Sequence, residues 1–423
     1  MFTSRNFKAL LLLSAPLLLL QSHASAQSGR NPRAPAAVPG MRPAPTPIDY
    51  THFDKVKVVV SEGAYNFVET LNEQGRLGYR LEKTVSYGDP LNHRKYAAVL
   101  HLDPGHSYEY VSDSMPEDAR RYGDPLNHHA RRGYSLVQAY ALTHCRTVDA
   151  DPYPNNYPDN TSPRQELQAV RRSNVLLFMR SDAAGRQTKE YRVFTGLFTL
   201  DGGQKKELQA ELDAAPPGFR PVRLLFSGSG PETFYVTVVA ERDLDEAAPR
   251  KVEYRLVKEV FGFEDEVNRL AAAGSRYVDG GRIQFVKIAL LERQAGGARS
   301  AYTFIDDSGD QRRVDREAAA GNGYAGLLVG DLNCTSDSRL FLQKLVFARD
   351  AGGGPAREYK ILKLADRKLA GLTGLLPADA VSEFRRLLAD GFRVRDLFYS
   401  HGLYAILEKQ SEAPASPDQT SER

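Results

Sequence analysis

One phrase recurs about six times along the chain, and it restricts the fold more than any single residue does. Its clearest copies are ETLNEQGRLGYRLEKTVSYG from Glu69 to Gly88, DPLNHHARRGYSLVQAYAL from Asp124 to Leu142, and FRRLLADGFRVRDLFYS from Phe384 to Ser400. In each, an amphipathic run ends at a glycine, an aromatic follows, and apolar–polar alternation begins. The period thus switches from about 3.6 residues to about 2, which marks a helix giving way to a strand. The glycine has a physical reason. A helix commonly ends on a residue at positive φ, which glycine adopts without a Cβ clash.

Around this junction each unit reads strand, helix, glycine–aromatic, strand, strand. The first has KVKVVVS (Lys55 to Ser61), a helical stripe of Tyr65, Val68 and Leu71 stopped by Gly75 and Gly78, a second strand through Tyr79, Leu81 and Val85, and YAAVLHL (Tyr96 to Leu102). The predicted units are 50–106, 107–183 with a loop insertion at 146–172, 184–245, 246–297, 298–352 and 353–409. A lone unit of roughly 55 residues has a marginal core, so units must share one. The expected fold class is α+β, with about six tandem βαββ repeats. Antiparallel sheets are covered by short helices, in one array or in two three-unit halves.

The pattern LNxxGxxGYxL, flanked by strands beginning near YRLxK, resembles a small bacterial family built on a strand–helix–strand–strand module with the consensus LNxxGxxGWxLV. Tyr79, Tyr134, Phe219, Tyr324 and Phe392 stand where that family has tryptophan, and this chain has none. The resemblance covers about 20 residues of each clearer unit and implies the module's fold. It implies no activity.

Arg5 and Lys8, an apolar run from Ala9 to Leu20 and the small residues Ala24-Ser25-Ala26 predict a cleaved signal peptide over 1–26. That run is too short to span a hydrocarbon core of about 30 Å. Residues 27–49 are rich in Pro and Ala and read as a linker, and 410–423 as a disordered tail. The expected location is periplasmic or secreted, in a bacterium, with no transmembrane segment in the mature chain. A net charge of +3, with basic and acidic residues interspersed, argues against a nucleic-acid partner.

Cys145 and Cys334 follow the junction aromatics of the second and fifth units at nearly the same distance, which in an oxidising compartment favours a disulfide. Closing a loop of about 190 residues would contribute roughly 4–5 kcal/mol in the chain-entropy treatment. Histidines gather in the first two units (His93, His101, His106, His128, His129 and His144), and His101, Asp103 and His106 are the metal candidates. Loop histidines without a metal are the commoner case, so no cofactor is expected. Tyr153 and Tyr157, in the proline-rich insertion, are the partner-contact candidates. No nucleophile elbow, phosphate loop or HExxH motif occurs, and no catalytic residue is assigned. The expected function is a non-enzymatic repeat protein that binds an envelope protein or polymer. The alternative is a metal- or small-ligand-binding protein, or a hydrolase, using the histidine-rich first half.

Overall fold

A computed structural model describes residues 55–87, 95–116, 118–149, 165–183, 188–199, 205–229, 233–246, 251–283, 286–293, 298–306, 310–331, 343–350, 357–366, 376–399 and 402–410. All of them fall in one compact unit, Pro47–Arg423. The chain is mixed α+β, with mostly antiparallel sheets and short helices.

The element order follows the helix-to-strand switch. The first group is β1 (Val56–Glu62), α1 (Ala64–Arg76), β2 (Tyr79–Tyr87) and β3 (Lys95–Leu102). The second is β4 (Tyr108–Ser114), a 3-10 turn at Ala119–Tyr122, α2 (Gly123–Arg131), β5 (Ser135–Asp149) and β6 (Gln165–Ser181). The third is β7 (Lys189–Thr199), α3 (Lys205–Asp213), β8 (Arg220–Ser229) and β9 (Thr233–Asp243). The fourth is β10 (Glu253–Glu259), α4 (Phe263–Ala272), β11 (Ser275–Ile283) and β12 (Val286–Arg293). The fifth is β13 (Ser300–Ile305), α5 (Gln311–Ala319), β14 (Gly323–Asp331) and β15 (Lys344–Asp350). The last is β16 (Arg357–Asp366), α6 (Ala378–Ala389), β17 (Arg393–Tyr399) and β18 (Gly402–Gln410).

Within each group the last strand lies in the middle, as in β1-β3-β2 and β16-β18-β17. Groups two and three join where β6 pairs β8, and groups four and five join where β11 pairs β14 in parallel. Glycines 78, 133, 218, 274, 321 and 391 all sit at φ between 78° and 90°. Five lie two residues past their helices, the positive-φ stop that the sequence demands, while Gly218 follows the Pro216-Pro217 turn after α3. Gly75 does not stop a helix as expected from sequence. It lies inside α1, where a Cβ would overlap the Tyr108 carbonyl oxygen, so its role is close approach to β4.

Each helix is shared between two sheets, and this decides the architecture. Phe67 and Leu71 of α1 pack with Val59, Ala98 and Leu100 of their own sheet and with Tyr110 and Leu177 of the next. Similar cores join groups two and three, three and four, four and five, and five and six. A further core joins the last group to the first: Phe384 and Leu387 of α6 pack with Val58, Val60, Ala97 and Val99. Successive residues of β3 thus face different cores, which explains why YAAVLHL is an unbroken apolar run rather than an alternating one. The groups close into a ring. No division falls between the third and fourth groups, whose residues Phe226, Val238, Tyr254 and Ile288 share one core, so the alternative of two three-unit halves is not what forms.

The insertion at 146–172 is also not wholly loop. β5 and β6 run as a long hairpin paired out to Asp149 and Gln165, because both arms have residues able to continue the ladder. Tyr153, Tyr157, Cys334 and the Cys145 side chain lie outside the described residues, as do 1–26, 27–49 and 411–423.

Candidate functional site

The second strand of every group is the innermost, and residues from all six of these strands line one cavity on the ring axis, with a volume of about 620 Å³. That lies within the range of small-molecule clefts, roughly 300–1,000 Å³. Each inner strand carries a register shift at the same place, between Leu81 and Lys83, Leu136 and Gln138, Pro221 and Arg223, Tyr277 and Asp279, Tyr324 and Gly326, and Val394 and Asp396. A bulge bends a strand and re-aims the next side chain. The residue after the shift is thereby set on the cavity wall: Lys83, Gln138, Arg223, Asp279, Gly326 and Asp396 in ring order, all partly exposed.

Acceptors at this level come from the even-numbered groups, and the odd-numbered ones supply Lys83, Arg223 and Gly326. Gln138 accepts from the N–H of Ala139 at 3.1 Å and donates to the Thr84 carbonyl at 3.0 Å. Asp279 accepts from the N–H groups of Leu224 and Gly280, both at 2.9 Å. Asp396 accepts from the N–H of Leu397 and from the Tyr324 hydroxyl, also both at 2.9 Å. Arg223 donates to the carbonyls of Val137 and Val222 at 3.3 and 3.4 Å.

Burial raises the Asp279 carboxyl above the ordinary range, opposed by the charge of Arg223 and by its two backbone hydrogen bonds. Asp396 is raised for the same reason, opposed chiefly by Lys83 and the Tyr324 hydroxyl. Burial, with the Asp396 charge beside it, pushes the Tyr324 phenol well up. Asn174 also lines the cavity; its amide nitrogen donates to the Phe226 carbonyl at 3.0 Å, while its buried Oδ1 has no partner.

The residues favoured by sequence fall elsewhere. His101 is the next-to-last residue of β3, the Asp103 carboxylate accepts from Tyr108, and His106 stands 3.4 Å from Asp182. Among the described residues no three His, Cys, Asp or Glu side chains gather as a metal site. Burial depresses His129, whose Nε2 lies 3.3 Å from Asp113 and whose ring stacks on Phe178. His93 and the His144 side chain lie outside the described residues. Tyr324 is no junction aromatic; it stands three residues past Gly321 and faces the cavity, with Asn322 buried directly after the glycine.

The wall residues were missed in the sequence although a signal was present. Each lies five positions past a positive-φ glycine: Gly78 to Lys83, Gly133 to Gln138, Gly218 to Arg223, Gly274 to Asp279, Gly321 to Gly326 and Gly391 to Asp396. Their chemistry differs from group to group, so the position recurs while the residue does not. No family model, curated protein or solved structure matches the chain.

Proposed function

We propose that this protein is an exported binding protein, built from six tandem copies of one βαββ module, that holds a small polar ligand on the ring axis. The observation that carries the reading is the convergence of one wall position from every group on a single cavity, with donors and acceptors interspersed around it. Clefts with a few converging polar groups and perturbed titratable residues are the commonest ligand sites. The Pro- and Ala-rich segment 27–49 would tether the ring to an envelope component, which keeps the expected envelope role. Export rests on the signal-like segment 1–26; among the described residues no helix is long and apolar enough to cross a membrane.

The test is to purify the protein from its own organism, denature it and identify the small molecules released by mass spectrometry. Arg223→Met and Asp396→Asn are expected to release far less of a compound that the wild-type protein carries, with unchanged circular dichroism. Equal release from all three proteins, or none from any together with a thermal midpoint unmoved by a library of polar metabolites, would end the axial reading.

A further inference from the structure

We infer that the axial ligand is neutral and rich in hydroxyl groups: a carbohydrate. This rests on the axial site being a ligand site, and it follows from how the wall is already neutralised. At the level of the bulges two cations, Lys83 and Arg223, stand with two carboxyls, Asp279 and Asp396. Arg223 acts electrostatically on both carboxyls and Lys83 on Asp396, so the charges compensate one another inside the cavity. A charged ligand group would take a partner from one of these and leave its counter-charge buried and uncompensated, a strongly unfavourable change. A hydroxyl disturbs nothing. It adds a charge-assisted hydrogen bond to a lone pair that the backbone N–H groups leave open, and it accepts from a cation at the same time.

A further feature favours the same class. Tyr87 and Tyr399, from the inner strands of the first and last groups, stack with ring centroids 5.8 Å apart on the cavity lining. Tyr87 is buried in the core, whereas the half-buried Tyr399 keeps ring surface beside the polar wall, matching the apolar C–H faces and polar rims of sugar rings.

The experiment is calorimetric titration of the full protein with neutral oligosaccharides (maltotriose, cellotriose and N,N′,N″-triacetylchitotriose), with triglycine as a zwitterion, with inorganic phosphate and with putrescine. At least one oligosaccharide is expected to bind, with an affinity nearly the same at about 0.05 M and about 0.5 M salt, since a neutral ligand has no charge to screen. Asp279→Asn, close to isosteric, should weaken it by roughly tenfold or more. Tyr399→Ala should weaken it independently, and circular dichroism of both variants checks folding. Binding of triglycine, phosphate or putrescine in preference to every sugar, abolished by Arg223→Met, would overturn the carbohydrate assignment and leave the axial site standing. If no probe binds and purification also releases no ligand, both readings fall.

Discussion

Two kinds of seam hold the ring together. At five seams the helix of one group reaches the first strand of the next with a side-chain amide. Asn72 donates to the Tyr110 carbonyl at 2.9 Å and accepts from its N–H at 2.7 Å. Asn127 treats Tyr191 in the same way, and Asn268 treats Tyr302. In groups three and five a glutamine on the helix does the work. Gln209 bridges Tyr254 and Leu256, and Gln311 bridges Tyr359 and Ile361. The amide thus covers a backbone pair on the outer edge of each sheet, where an open edge invites unwanted pairing.

The gripped tyrosine reaches back in turn. Tyr110, Tyr191, Tyr302 and Tyr359 accept from the N–H groups of Leu81, Leu136, Tyr277 and Tyr324 at 2.7–2.8 Å. At the third group the matching residue is Pro221, which has no N–H. There Tyr254 donates to the Phe219 carbonyl instead, at 2.7 Å. The seam between the last group and the first is different. Arg385 and Val56 occupy the places of amide and tyrosine, and that seam rests on the apolar packing of α6 and on the Tyr87–Tyr399 stack. Joining neighbours along the chain needs only local geometry repeated. Closing the ring must pair the two ends of the chain, and here the buried core between α6 and β1–β3, with Lys83 facing Asp396, does so.

The largest expected effect is at the closing seam. Phe384→Ala should cost about 3–5 kcal/mol through the cavity it leaves, and should raise amide exchange in β1 and β17 ahead of the rest. Uniform exchange across all groups would show that the two seam types open alike. Next, Asn268→Ala strips both partners from the Tyr302 backbone and should cost about 2–3 kcal/mol in urea titration; a loss under half a kcal/mol would mean that water replaces the amide at no penalty.

Smaller again, Tyr302→Phe and Tyr254→Phe should each cost about 1 kcal/mol, despite the opposite direction of their hydrogen bonds. Val56→Tyr should add nothing, because the last helix bears Arg385 where the other seams supply an amide. Stabilisation by Val56→Tyr would mean that the closing seam is built like the others.

The smallest effects are in pH dependence. Asp279 and Asp396 have folded pKa values above their unfolded ones. They favour the fold most when protonated, below the unfolded carboxylate range near about 4, and that contribution is lost as pH rises through the raised folded values. The double variant Asp279→Asn/Asp396→Asn should flatten the stability profile in this window. His129 has the opposite sense: its pKa is depressed, so its contribution is present above about 6.5 and falls away as pH drops toward the folded value. His129→Phe should remove that acid-side slope, and an unchanged slope would assign it to other groups.

The βαββ grammar was legible because it is local. Glycine at positive φ, the helical stripe of Phe384 and Leu387 and the strands that follow are all set by neighbours within a few residues. The histidines drew attention through their chemistry, yet His101, His106 and His129 sit in separate local pairings or packing. The wall residues escaped because Lys83, Gln138, Arg223, Asp279 and Asp396 are individually ordinary polar residues on strands, and only superposition of the groups reveals their common offset from the glycine.

By itself, then, the sequence determined the helix stops, the strands and the need for each group to borrow a core from a neighbour, since one short amphipathic helix and three strands cannot bury enough apolar surface alone. Tertiary structure decided that borrowing runs in a circle, that β1 meets α6 across the whole length of the chain, and that the bulged inner strands face a common axis. The difference is physical. Backbone conformation responds to adjacent residues, whereas closure depends on the small rotation from each group to the next, accumulated over all of them.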